Sequence, residues 1–307
     1  MFCRQMVQRL YLTLNFPRRF FLNDRLEWMK VVVLILTMDF LGTALLAEET
    51  PVTDLLLQAR DAYRLGQIDR ALFLADRAIN KTPLKPQGFF LRGWLHEMEG
   101  RHHRAIADYD QVLKLDPSAV DVYNRRGSEY FKLGNIEASI VNFEKAIKLD
   151  PKQEPYHWQR GISYYYAGRY EEGRNQFKSH QQINSNDVEN SVWHFLCTSR
   201  LVGVSRARRL LLRIERDPRI PMMEVYRLFA GEGTAEEVMV AAREGNDSKS
   251  SLQRQLFYAN LYLGLYYEAF GDEKKACEHI VLAADNYPLN HYMGDVARIH
   301  AEILQFP

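Results

Sequence analysis

Small, apolar and polar side chains follow one another along residues 120–151 in an order that predicts a pair of antiparallel helices. Counting Val120 as the first position, Gly127 is 8, Tyr130 is 11, Gly134 is 15, Ser139 is 20, Phe143 is 24, Ala146 is 27 and Pro151 is 32. A small residue at 8 lets the first helix approach the second. Gly134 suits the turn between them because it takes positive φ without steric cost. Ala146 leaves room for a following unit, and Pro151 cannot continue a helix. The same order starts at Val52 (Ala59, Gly66, Ala71, Ala78, Pro83), at Pro86 (Gly93, Gly100, Ala105, Tyr109, Val112, Pro117) and at Glu154 (Trp158, Gly161, Tyr164, Gly168, Gly173, Phe177), a period of 34 residues. In the last of these His180 replaces the usual Ala and no Pro closes the unit, so looser or differently angled stacking is expected there.

The order then fades. Residues 191–201 predict an apolar helix, and 204–216 a second one with Val204, Ala207, Leu210, Leu211 and Ile214 on one face. Pro218 and Pro221 break the chain, 222–230 predicts a short helix, Thr234 and Glu237 form a capping box, and Gly245-Asn246-Asp247 ends the helix that follows. The register returns over Phe257–Pro288 with Gly264, Tyr267, Gly271, Ala276, Ile280 and Ala283, and residues 290–304 predict a final amphipathic helix.

These positions resemble the tetratricopeptide repeat. The resemblance implies an all-α, right-handed superhelical solenoid of stacked helix pairs with a C-terminal capping helix. Clear repeats fall at 52–83, 86–117, 120–151, 154–187 and 257–288, degenerate repeats at 188–256 and the capping helix at 290–304, all within a domain spanning 48–307. Residues 1–47 stand apart as an N-terminal extension. Val31–Ala47 is a run of 17 mostly apolar residues between Lys30 and Glu48-Glu49. It resembles a secretory signal peptide read from Met29 and cleaved after Ala47, giving an exported, periplasmic or secreted product. A retained anchor is the alternative, against which Asp39 in the run counts about 2.5–3.5 kcal/mol.

The first helix of each pair is expected to line a concave groove. Phe90, Trp94, Asn124, Ser128, Phe131, Trp158, Ile162 and Tyr165 fall on that side, and aromatic side chains there suit recognition of a protein or peptide. A second surface is the set Arg206, Arg208, Arg209 and Arg213, opposite the apolar stripe of its predicted helix. It reads either as a solvated face or as a patch for an acidic partner, phospholipid or glycan.

Composition narrows the function classes. The 40 Lys and Arg against 39 Asp and Glu leave a net charge of +1, so no global field attracts nucleic acid. Cys3, Cys197 and Cys277 form no CxxC, and the last two are expected to be buried small hydrophobes. His96-Glu97 opens like a zinc helix, but Gly100 stands where the second histidine belongs, and His102-His103 are expected to be solvated turn residues. No nucleophile elbow or phosphate loop occurs, so no catalytic residue, metal or cofactor is expected.

The second half resembles the NlpI family of bacterial lipoproteins, through YHWQRGISYYYAGRYEEG, VWHFLCTSRL, LFYANLYLGLYYEAFGDEKKACEHIVLAA and NHYMGDVARIHAEIL, over roughly residues 86–305. That resemblance implies a non-enzymatic periplasmic adaptor bringing peptidoglycan hydrolases to a protease. No lipobox cysteine is present, a departure that bears on the membrane tether. The clamp that some tetratricopeptide proteins use on chaperone carboxylates is not matched, since Leu56, Arg60, Leu91 and Asp121 occupy its positions and only Arg125 is compatible. The alternatives to a groove-binding adaptor are a homodimeric scaffold binding through its arginine helix or convex face, and a membrane-anchored cytosolic adaptor. Membrane contact is expected only if Val31–Ala47 is retained.

Overall fold

The computed structural model describes residues 50–244 and 248–305. The apolar run Val31–Ala47 and the predicted stop at 245–247 lie outside the described residues. The chain divides into two compact units, 1–54 and 55–307, and the helix pairs below belong to the second apart from the first turn of α1. The pairs are α1 (Val52–Arg64) with α2 (Ile68–Lys81), α3 (Pro86–Met98) with α4 (His102–Leu115), α5 (Val120–Lys132) with α6 (Ile136–Leu149), and α7 (Trp158–Tyr166) with α8 (Tyr170–His180). They are followed by α9 (Val188–Val202), α10 (Val204–Arg209), α11 (Met222–Ala230), α12 (Ala235–Arg243), α13 (Lys249–Ala269), α14 (Glu273–Val281) and α15 (Tyr292–Gln305). No strand occurs among the described residues. The second helix of each pair packs on the first helix of the next, α2 on α3, α4 on α5, α6 on α7 and α8 on α9, which makes the unit a solenoid.

The small residue at position 8 is required by contact. A Cβ on Gly127 would lie 2.8 Å from the Phe143 ring, and one on Gly161 2.7 Å from that of Phe177. The turn glycine Gly134 has φ 72°, where a side chain is strained. Cys197 is buried and free; its sulfur sits 2.8 Å from where a Cβ of Gly173 would be. Cys277 is also free and half-buried.

A ladder of arginines reinforces the stacking. Arg92 donates to both carboxylate oxygens of Asp108 (2.9 and 2.6 Å) in its own repeat and to Asp76 (2.6 Å) in the repeat before. Arg126, 34 residues on, donates to Asn142 (2.9 Å) and back to Asp110 (2.6 Å). Arg160 donates to Gln176 (2.8 Å). Planar forks of this kind hold two helices at a fixed spacing, and the Asp108 end is almost fully buried. The fork stands at the seventh position of successive repeats, so its signal was present in the 34-residue spacing, although the sequence reading did not single it out.

The expected helix over 204–216 stops at Arg209. Side chains from the preceding unit satisfy the backbone beyond it. Ser191 Oγ donates to Leu212 O (2.8 Å), Gln181 Nε2 to Arg213 O (3.2 Å), and Asn186 Oδ1 accepts from Glu215 N (3.1 Å) and Arg216 N (3.3 Å). Local side-chain bonds of this type compete with the helical ladder. Ile214 anchors the segment in the core. In the fourth repeat α7 is short because residues Pro151–Tyr156, with Pro155 inside, form a 3-10 turn. His180 Nδ1 bonds Pro155 O there at 2.8 Å.

Buried histidines give the fold an acid limit. Burial first, and then Arg160, pushes His157 down to about 4. Burial, with Arg174 and Lys178, pushes His194 down to about 4 as well. Both are neutral in the folded chain and bind protons more readily once unfolded. Their contribution is therefore complete above pH 6.5 and declines as pH falls from 6.5 toward 4. Urea midpoints are expected to hold steady above pH 7 and then drop, with each histidine removing about 1–2 kcal/mol by pH 5. His194→Gln should flatten that drop; an unchanged slope would show that His194 is not the titrating group.

Candidate protein-binding site

The first helices of the pairs set the concave face. Phe90 and Trp94 are four residues apart on α3 and share one side of it. Trp94 meets Tyr63 of α1 edge-on at 4.9 Å between centroids. Phe90 leans on Tyr109 at 6.4 Å, and the Arg125 guanidinium of α5 lies 5.8 Å from its ring. Arg125 also donates to Glu97 (3.0 and 3.1 Å), which accepts from Tyr109 as well. Burial pushes the Tyr109 hydroxyl up, and Glu97 pushes it further, so it stays protonated as a donor. Asn124 Nδ2 donates to Gln153 Oε1 (2.9 Å), and Ser128 Oγ to Asn124 O (3.1 Å). Tyr63, Phe90, Trp94, Asn124, Arg125 and Ser128 are all half-buried, so they hold fixed positions and still present surface.

Three of the expected groove residues are not available. Phe131, Ile162 and Tyr165 are 0%, 1% and 6% exposed. The C-terminal helix covers Phe131, and side chains of α9 and α13 cover Tyr165. Beyond closing the end of the solenoid against α14, α15 crosses back to α5. Its Tyr292 stacks on Phe131 at 4.9 Å and meets Trp158 edge-on at 5.2 Å. Arg298 donates to the carbonyl of Lys132. His300 Nδ1 hydrogen-bonds Tyr166 OH at 3.0 Å, and its Nε2 lies 3.2 Å from Glu268. Tyr165 packs edge-on against Trp193 (5.4 Å) and donates to Glu268 (3.4 Å). The C-terminal half of the concave face is thus filled by the chain itself, and Trp158 is half covered. The N-terminal half, from Tyr63 to Arg125, carries the accessible set.

The arginine set is also divided. Arg206, Arg209 and Arg213 are exposed, whereas Arg208 lies over the Phe270 ring at 4.7 Å and donates to Phe229 O (3.3 Å) and Tyr266 OH (3.2 Å). It is a packing residue. His102, expected to be a solvated turn residue, sits 2.7 Å from the buried carboxylate of Glu129, whose other oxygen takes Lys132 at 2.6 Å. Nothing around position 102 in the sequence pointed to Glu129, because the two lie 27 residues apart and meet only when repeats stack.

A solenoid of stacked helix pairs is the architecture of a protein-interaction scaffold. Tetratricopeptide-repeat family models match residues 56–120 and 127–168. The chain is a tetratricopeptide repeat protein, of a fold whose domains bind protein or peptide partners. Among solved structures it is similar to a tetratricopeptide repeat protein from Parabacteroides merdae, at 16% identity and TM-score 0.55, covering 83% of this chain and 98% of that one. It also resembles the C-terminal part of a repeat-containing protein from Cytophaga hutchinsonii (18% identity, TM-score 0.46, 84% of this chain and 92% of that one). A third similar structure is the MamA protein (15% identity, TM-score 0.49, 64% of this chain and 97% of that one).

Proposed function

We propose that the protein is a non-enzymatic adaptor, exported from the cytoplasm, that holds a peptide or protein segment against the N-terminal half of its concave face. The observation that carries this is the accessible set Tyr63, Phe90, Trp94, Asn124 and Arg125, held in place by the Glu97–Tyr109 pair while α15 occupies the remainder of the surface. Fixed aromatic rings bury a large area at little entropy cost, and Arg125 beside Phe90 adds a donor for a carbonyl or carboxylate on the partner. Export rests on the signal-like run Val31–Ala47, and a role in cell-envelope assembly on the resemblance of residues 86–305 to the NlpI family.

The test is capture of partners from the native cell by the full chain and by its Phe90→Ala/Trp94→Ala variant, followed by affinity measurement on the captured protein. Two anchors of about 2 kcal/mol each predict roughly a thousandfold weaker binding. Trp158→Ala, half covered by Tyr292, is expected to change affinity little. Equal affinity of the folded double variant would place the binding surface elsewhere.

A further inference from the structure

We infer that the turn from the end of α9 through α10 to Arg213 is a peripheral docking surface for a bilayer containing anionic phospholipid. Between Glu189 and Glu215 the chain has no acidic residue and five arginines. Two of the five are used inside the fold. Arg200 is paired with Glu268 at 2.7 Å, and Arg208 is packed on Phe270. Arg206, Arg209 and Arg213 remain exposed. Arg213 reaches Glu215 only at 3.8 Å, both side chains largely in solvent, and Arg209 donates to the carbonyl of Ser205, which neutralises no charge. A surface pair of that kind compensates little.

Aliphatic side chains are interleaved with these charges. Leu201, Val202 and Leu210 are 40%, 37% and 49% exposed. Arg206, Arg209 and Leu210 are three and four residues apart, so they share one side of α10 and its end. Gly203, between Val202 and Arg206, is exposed, and a Cβ there would meet nothing within 4 Å. Guanidinium groups that fork onto phosphate, set beside short exposed aliphatic side chains, match the headgroup–acyl boundary. Single-stranded nucleic acid is held largely by stacking rings, and residues 201–213 contain none. Among the described residues no helix is long and apolar enough to cross a membrane.

The test compares sedimentation of the full chain with phosphatidylcholine vesicles and with vesicles of which one third is phosphatidylglycerol. The ratio of the two affinities is the readout, and each variant is compared with the parent chain, so that the basic and apolar residues of the N-terminal extension contribute alike to both. One arginine at an anionic surface contributes about fivefold. The variant R206Q/R209Q/R213Q is therefore expected to reduce the ratio about a hundredfold, and L201S/V202S/L210S to weaken binding to the anionic vesicles further. Hydrogen exchange over 201–213 is expected to slow on those vesicles alone. An unchanged ratio in the arginine variant overturns the proposal. So does an unaltered affinity of the aliphatic variant, which would assign the arginines to a soluble acidic protein.

Discussion

Tyr292→Ala is expected to lower unfolding stability by about 3 kcal/mol and to open the covered half of the concave face. The ring is the contact through which α15 meets both Phe131 and Trp158. Truncating it leaves a cavity where α15 crosses α5 and α7, whose other ties to it include Arg298 to Lys132 O and His300 to Tyr166. The variant should show a lower urea midpoint together with greater quenching of Trp158 by acrylamide. The added quenching should vanish when the same substitution is made in a Trp158→Phe background. If the midpoint falls while Trp158 remains as protected as before, α15 acts as an end cap and does not shield the groove. The control matters for the functional reading, because it separates residues hidden by the chain itself from those left for a partner.

Arg219→Ala is expected to cost about 3 kcal/mol at pH 7 and much less near pH 4. Arg219 holds three carboxylates: Asp187 (2.7 Å), Glu189 (2.5 Å) and Asp217 (2.6 Å). Breaking a buried pair by removing one partner leaves charge uncompensated and costs about 3–5 kcal/mol, and the low end applies because the Arg219 side chain is itself 43% exposed. Burial pushes the Glu189 carboxyl up, and Arg219 opposes that rise. Asp217 is pushed up by burial, but the bonds from Arg219 outweigh this and hold it below the usual carboxylate range. The signs then follow. In the parent chain Asp217 contributes stability above its unfolded pKa and loses it as pH falls through the folded one. In the variant that contribution is smaller, since only the backbone donors of residue 219 and Val188 remain, and the burden of an ionised buried Glu189 lifts as acid neutralises it. The difference between the two chains should therefore shrink on acidification. A difference independent of pH would show that Arg219 acts through packing and not charge. Tyr262, which donates to Glu189 at 2.6 Å, ties this centre to α13, so hydrogen exchange should quicken in both α9 and α13.

Much of the solenoid was legible in the chain. The pairing of Gly127 with Phe143 and of Gly134 with its turn is local: each depends on residues within one repeat, and a 34-residue period repeats the same requirement until chance is an inadequate account. The capping box at Thr234 and Glu237 was equally readable, and both of its bonds are present, at 3.2 and 2.7 Å. The candidate site was legible only in part. Phe90 and Trp94 remain on an accessible side because the neighbouring helix in space is also the neighbour in sequence. Ile162 holds the repeat position of Trp94, and Phe131 and Tyr165 that of Glu97; all three are buried, and the rings against Phe131 and Tyr165 come from the far end of the chain and from the divergent segment.

The same division applies to charge. Arg208 and Arg209 are adjacent and look alike in sequence; one lies under Phe270 and the other in solvent, a distinction set by where α13 passes. Position and periodicity alone determined that this protein is a stack of tetratricopeptide helix pairs, because that architecture is built from contacts between nearest neighbours. The tertiary structure decided how much of the concave face is free, which arginines are available and where the acid-sensitive centre lies. Those outcomes depend on α15 returning to α5 and α13 crossing α9, contacts between segments far apart in the chain that leave no mark in the local sequence.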